Sequence, residues 1–216
     1  SRGLEMCIRD RGGTHDGNAS HGIFVFDAGL KFSKTLAKGD FVRVTGTAAE
    51  YYGLTQLKDL TAVEKMAKDG VVDPKPVVLN EFPVGNEARE KYEGMLVDIK
   101  APMTITNNYL QNNTSKNKTI FTARWGELGL TPGDKPLRQP SDLYNPAKNP
   151  TEIAALNEDN ESKLINLDDG ISFDLVNFKY ANHRIPVAYL DVKNPARAGA
   201  QVNFLQPMII DLSLIH

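Results

Sequence analysis

The amino-acid sequence predicts an all-β protein with short helical inserts, on three observations. Short runs rich in Val, Ile, Phe and Thr alternate in polarity at every second position. Clusters of Gly, Asp, Asn and Pro separate those runs at short intervals. Only two stretches read as helix, Glu87–Tyr92 and Thr151–Asn160, and both are short.

The elements follow in chain order. "GIFVFD" (22–27) is a strand with Ile23 and Val25 on one face and Phe24 and Phe26 on the other. "FVRVTG" (41–46) alternates again, with Val42 and Val44 opposite Phe41, Arg43 and Thr45. Gly46 follows, where a barrel strand needs a tight bend or a bulge. "LTQLKDLTAV" (54–63) is the next strand. The proline-bearing stretch 71–91 is expected as a linker with a helical turn, or a crossing between barrels. "GMLVDI" (94–99) and "MTITNNYL" (103–110) return to strand, "QNNTSKNKT" (111–119) is a polar loop tip, and "FTARWGELGLT" (121–131) is one bent strand or a pair. Turn-rich coil leads to the helix at 151–160. "KLINLDDGISFDLV" (163–176), "IPVAYLDV" and "AQVNFLQPMII" are the last strands. A weak internal echo, "HGIF…KGDFVRV" and "DGIS…RAGAQVNF", suits two copies of one small barrel, the second carrying an insertion.

The two ends have a separate origin. "EMCIRDR" is what GAG-ATG-TGT-ATA-AGA-GAC-AG encodes, and "LSLIH" is CTG-TCT-CTT-ATA-CAC. The two strings are reverse complements over most of their length and correspond to the transposase mosaic end used to tag sequencing libraries. Residues 1–11 and 212–216 are therefore expected to stand outside the fold, as a fusion scar would. The lone cysteine, Cys7, lies in that scar. A cysteine-free remainder suits an exported protein and equally many cytosolic domains.

Charge narrows the function classes. The chain has 25 basic and 27 acidic residues, net −2; setting aside Arg2, Arg9, Arg11, Glu5 and Asp10 leaves 22 and 25, net −3. That balance argues against tight, charge-driven nucleic-acid binding. No apolar run approaches a membrane span, so no membrane partner is expected. Catalytic constellations are missing as well. His15, His21 and His183 are scattered without ligand-like spacing, and no serine sits in a nucleophile elbow, so no catalytic residue is assigned.

At this point a resemblance covers most of 12–211. "GIFVF…KGDFVRVTGTAAEYYGLTQL" resembles an OB-fold segment of the YhcR-like kind. "KYEGMLV" (91–97), "TNNYL" (106–110), "RWGELGL" (124–130), "RQPSDLYNP" (138–146) and "NLDDGI" (166–171) follow in the order seen in ExeM/NucH-type bacterial extracellular nucleases. The resemblance implies two OB-like Greek-key barrels, both truncated by the fragment ends: a first module over 12–70, the linker 71–91, and a second module over 92–211. It also implies a secreted bacterial protein whose metal-dependent endonuclease/exonuclease/phosphatase domain lies downstream in the same chain. That domain would use Mg²⁺ or Mn²⁺, or Ca²⁺, for phosphodiester hydrolysis, while the fragment itself carries no cofactor. Two departures stand out. The acidic lead-in to the first barrel survives only as "GGTHDGNASHGIF", and "QNNTSKNKTIFTA" is longer than the usual connection.

Site candidates come from both readings. An OB barrel offers one sheet face and its loops to oligonucleotides or oligosaccharides. Tyr51 and Tyr52 would stack on bases there, although adjacent strand residues point to opposite faces, so at most one is expected outward; alternatively one is core and the other covers a barrel end and hydrogen-bonds backbone. Arg43 is a phosphate contact or an ordinary surface residue. Tyr109, Arg124 and Trp125 form a second cation-and-aromatic candidate, with Trp125 equally suited to a core. Asp168, Asp169 and Asp174 are a metal candidate or an Asp-Gly turn, and Asp16 with Asn18 offers a similar set of oxygens. The expected partner is DNA or RNA, weakly bound. A structural spacer and a carbohydrate- or surface-binding module are the rival functions.

Overall fold

The computed structural model describes residues 4–6, 16–108, 127–168 and 195–212. They are mostly β-sheet with few short helices, and no sheet closes into a barrel among them. The first unit takes in the described residues up to Lys100 and those from Phe204 onward; the second is Ala101–Asn203. The first unit thus extends beyond the expected module 12–70 and includes the stretch read as a linker.

In the first unit, β1 (Leu4–Met6), β2 (Ile23–Val25), β3 (Val42–Tyr51) and β4 (Leu54–Lys65) form one sheet in the order β1-β2-β4-β3. The alternation read from "FVRVTG" holds: Val42 and Val44 are half-buried, while Phe41, Arg43 and Thr45 are exposed. The Gly-Asp turn before β3 is built by Asp40, whose carboxylate accepts the Ala37 N–H at 2.7 Å and pairs with Lys65 across the sheet at 2.8 Å. Gly46 marks a bulge, since pairing passes from Thr45↔Ala62 to Thr47↔Lys58. A Cβ at Gly46 would meet Leu60 Cδ2 and Lys58 O, each at 2.8 Å, so the close strand approach there needs glycine.

Two sequence expectations are corrected here. Residues 1–11 were expected outside the fold, yet β1 pairs antiparallel with β2, from Leu4↔Val25 to Met6↔Ile23. Strand addition uses the backbone, so an extended tripeptide can join an edge whatever its origin. The linker 71–91 contains a strand, β5 (Val77–Leu79), which runs parallel to β6 (Leu96–Ile99). Its three residues follow Pro76, too short a run to be read by alternation, and the partner that makes them a strand lies almost twenty residues on. β11 (Met208–Ile209) completes this second sheet on the other side of β6. Between β5 and β6, α1 (Asn86–Glu90) confirms a short helix close to the expected 87–92.

Apolar side chains from both sheets supply the core of this unit: Val25, Leu54, Leu79, Val97, Ile99 and Ile210 are all buried. Buried polar groups are satisfied. Arg89 donates from Nε to the Pro83 carbonyl at 3.1 Å and lies 6.0 Å over the Phe82 ring. Asp27 accepts three backbone N–H groups, from Lys31 at 3.1 Å, Phe32 at 2.8 Å and Ser33 at 2.7 Å, and so organises the two short 3-10 turns after β2. Burial alone would raise its pKa, but the amides of Ser33, Phe32 and Lys31 outweigh that and hold the carboxyl below its usual 3.8. The folded value is the depressed one, so this stabilisation is present above the unfolded pKa and is lost as pH falls through the folded value. Asp27→Ala, which orphans those amides, is expected to lower unfolding free energy by about 2 kcal/mol at neutral pH. Urea titrations at pH 7 and in acid test this, because the parent's advantage over the variant must shrink as pH drops.

Among its described residues, the second unit forms a sheet in the order β10-β7-β8-β9, from β7 (Met103–Asn107), β8 (Leu128–Pro132), β9 (Ile165–Leu167) and β10 (Gln201–Val202). Ala101, Met103, Ile105, Leu128 and Leu130 are its buried apolar residues among those described. Thr104, also fully buried, donates to Gly133 O at 2.6 Å and accepts from Gln201 Nε2 at 2.8 Å, so its hydroxyl is paired twice. Before β9 come α2 (Pro140–Leu143) and α3 (Pro150–Lys163). Pro150 at the first helical position and Glu152 in the first turn start α3 favourably, and Lys163 pairs with Asp159 at 2.6 Å near its end. The helix expected over 151–160 is therefore present and three residues longer at its C-terminal end.

Candidate functional site

β3 and β4 are joined by a two-residue turn, Tyr52–Gly53, closed by the pair Tyr51↔Leu54. Both turn residues have positive φ, 52° at Tyr52 and 85° at Gly53, as a type I′ hairpin requires. Asn or Asp is the usual first residue of such a turn, since a bulky side chain at positive φ is strained. The hairpin nevertheless places an aromatic ring there.

That turn corrects the expectation that at most one tyrosine faces outward. The opposite-faces rule applies inside a strand, and Tyr52 has already left it. Tyr51 is 51% exposed and Tyr52 57%, so neither belongs to a core. Their ring centroids lie 4.8 Å apart at 90°, an edge-to-face pair at the hairpin tip. One ring edge is covered by its neighbour, and about half of each tyrosine faces solvent.

The charges around the tip are chiefly acidic. Arg43 is exposed, as expected, but it is not brought to the tip: it lies at the open end of the hairpin, where its cross-strand neighbour is Glu64, with Nη1 3.7 Å from the carboxylate. An exposed pair of that kind is worth little to stability, and it offsets the positive charge available to a phosphate. Nearer the tip, Glu50 accepts a hydrogen bond from the Thr55 hydroxyl at 2.7 Å. Glu93, which the sequence reading passed over, takes the Thr55 backbone N–H at 3.2 and 3.3 Å from its two oxygens. Its residue is only 4% exposed. Burial, partly offset by those Thr55 bonds and reinforced by Glu90 and Glu50, pushes the Glu93 carboxyl up to about 7. The only sequence signal was a glutamate just before an apolar strand, in "KYEGMLV", which does not by itself announce burial.

The remaining candidates are not brought to the tip. Asp16 accepts the Asn18 backbone N–H at 3.0 Å and its side-chain amide at 3.2 Å. These local bonds, backbone first, lower the Asp16 pKa and describe an Asx turn. Asp168 is half-buried just after β9. Tyr109, Arg124, Trp125, Asp169 and Asp174 lie outside the described residues. Among the described residues no three His, Cys, Asp or Glu side chains come together in a way that would hold a metal ion. Nor is any described helix long and apolar enough to cross a membrane.

Comparison with protein-family models, curated proteins and solved structures returned no match.

Proposed function

We propose that this chain is an OB-like accessory region that binds single-stranded nucleic acid weakly, in a secreted bacterial nuclease of the ExeM/NucH type. In this reading the tip tyrosines are the stacking surface. The exposure of both rings on a strained two-residue turn carries the proposal. A backbone outlier that stability alone does not favour points to a use for the side chain. Stacking suits a surface poor in free cations, because every base has an aromatic face and needs no phosphate contact. Hydrolysis belongs to the downstream domain with its Mg²⁺ or Mn²⁺, or Ca²⁺, and no residue described here is assigned to that step.

A second reading has its own support. Glu50 beside the tip and the net negative charge suit an uncharged sugar stacked on the same rings, making this a carbohydrate-binding β module. Salt separates the two. Oligonucleotide binding should weaken as salt rises, with a shallow slope because few phosphates are neutralised. Glycan binding should not respond.

The test uses fluorescence anisotropy with a labelled single-stranded oligonucleotide at low salt. Tyr52→Asn removes the ring while fitting the positive φ better than tyrosine does, so stability should be kept or raised. Its affinity is expected to fall by about 1–3 kcal/mol, the range for losing one stacked base. Tyr51→Leu should act similarly, with thermal unfolding as its control. Arg43→Gln should mainly flatten the salt slope. Stable tyrosine variants that bind like the parent would refute the stacking surface. Failure of the parent to bind any oligonucleotide or glycan would leave a structural spacer.

A further inference from the structure

Two carboxyl groups converge on Thr55 at the base of the tyrosine tip. Glu50 takes its hydroxyl and Glu93 its backbone N–H. The register explains the second bond. Tyr51 and Leu54 close the turn as a hydrogen-bonded pair, so Glu50 and Thr55 form the next, non-hydrogen-bonded pair. The Thr55 amide therefore points away from β3. On that side, pairing of β2 with β4 begins only at Gln56. The Glu93 side chain stands where a strand partner would otherwise be.

The main chain that presents Glu93 is held in place. Ser20 Oγ donates to the Glu93 carbonyl, the Gly94 N–H donates to Ile210 O at 2.7 Å, and Glu93 itself bridges to Ile210. The titratable groups on the surrounding elements include Glu50 of β3, Lys58 and Asp59 of β4, Glu90 at the end of α1, Lys91 and Tyr92 after it, His21 before β2 and Asp211 after β11. Among the described residues no cation is paired with the Glu93 carboxyl. A buried carboxylate beside Glu50 and Glu90 gains nothing from a counter-charge and loses its hydration.

We propose that Glu93 is a proton-controlled clamp on the tyrosine hairpin, closed when the carboxyl is neutral and loosened when it is ionised. In the neutral form the buried carboxyl sits beside Glu50 without repulsion and keeps the Thr55 amide covered. In the ionised form the bond from the Thr55 N–H strengthens, but burial without a counter-charge and the like charges of Glu90 and Glu50 outweigh it and draw the Glu93 carboxylate toward water. Opening the tip relieves both. The stability this group contributes is complete below its ordinary pKa of 4.5 and is lost as pH rises toward about 7. Ligand affinity should fall over the same window, a consequence that rests on the tip being the binding surface.

Hydrogen exchange at Leu54–Gln56, expressed as protection relative to the unstructured chain, reads the clamp without any ligand. Protection in the parent should fall between pH 5 and 7, by up to about ten-fold per pH unit, and level off above 7. Glu93→Gln, a permanently neutral isostere, should hold a constant protection across that range. Glu50→Gln removes one of the two like charges that raise the Glu93 pKa, so its fall should be smaller and level off at lower pH. This second variant leaves Glu93 in place and keeps the test decisive if Glu93→Gln folds poorly. Parent and Glu93→Gln following the same pH course would overturn the clamp, as would a Glu50→Gln curve superimposable on the parent's. Oligonucleotide anisotropy at pH 5 and 8 separates the two ideas. No binding at either pH refutes the stacking surface and leaves the exchange result standing, whereas equal binding at both pH values with unchanged protection refutes the clamp alone.

Discussion

Gly22→Ala is expected to destabilise the first unit by about 3 kcal/mol, the upper end of what overpacking usually costs. A Cβ built on Gly22 would lie 2.2 Å from the Gly94 carbonyl carbon, 2.3 Å from its oxygen and 2.7 Å from the Met95 nitrogen. All three are backbone atoms, so no side chain can rotate aside to make room. The two segments must separate, and the bonds that cross between them go too: Ser20 Oγ to the Glu93 carbonyl, and the His21 N–H to Met95 Sδ at 3.3 Å. Gly94 is bound by the same contact and also sits at φ 65°. Equilibrium unfolding in urea measures the loss. A Gly22→Ala variant within about 0.5 kcal/mol of the parent, the range of an ordinary surface change, would mean that the two glycines do not meet.

Leu130→Ala should be comparably severe in the second unit, lowering stability by about 2–5 kcal/mol. Leu130 is 2% exposed on β8, where its register partners are Ile105 on β7 and Ile165 on β9. Truncation removes apolar surface from a site walled on both sides by paired strands, which cannot collapse inward without breaking ladder hydrogen bonds. Leu143 is the matched control, because it is 48% exposed at the end of α2. Its replacement by alanine should change the unfolding midpoint little. Equal losses from the two substitutions would contradict the placement of Leu130 in a core.

Much of the strand content was legible because its causes are local. Val42 and Val44 against Arg43 and Thr45 announce a half-buried strand by alternation alone, and Gly46 announces the bulge. The helix from Pro150 begins at a residue whose missing N–H does no harm in the first turn. By contrast, Val77–Leu79 became a strand only through β6, and a three-residue run after a proline carries no periodicity to detect. Tyr52 was misjudged because the strand was assumed to continue through it. The Tyr-Gly sequence at 52–53 was itself the turn, with an aromatic residue where a smaller polar one is usual. Arg43 was expected as an exposed residue and is one, but its register with Glu64 required knowing how β3 pairs with β4.

Sequence alone therefore determined the all-β character, the helix at α3, the bulge and the tyrosines as the residues to watch, since alternation, composition and turn chemistry act over a few neighbours. Tertiary structure decided which face of that information matters. Glu93 looks like an ordinary surface glutamate until Ser20, from a segment 73 residues earlier, and the close approach of Gly22 to Gly94 bring its carboxyl under the hairpin. Burial is a property of what packs around a side chain, and a carboxyl's proton affinity follows burial more than residue type. No local pattern encodes it.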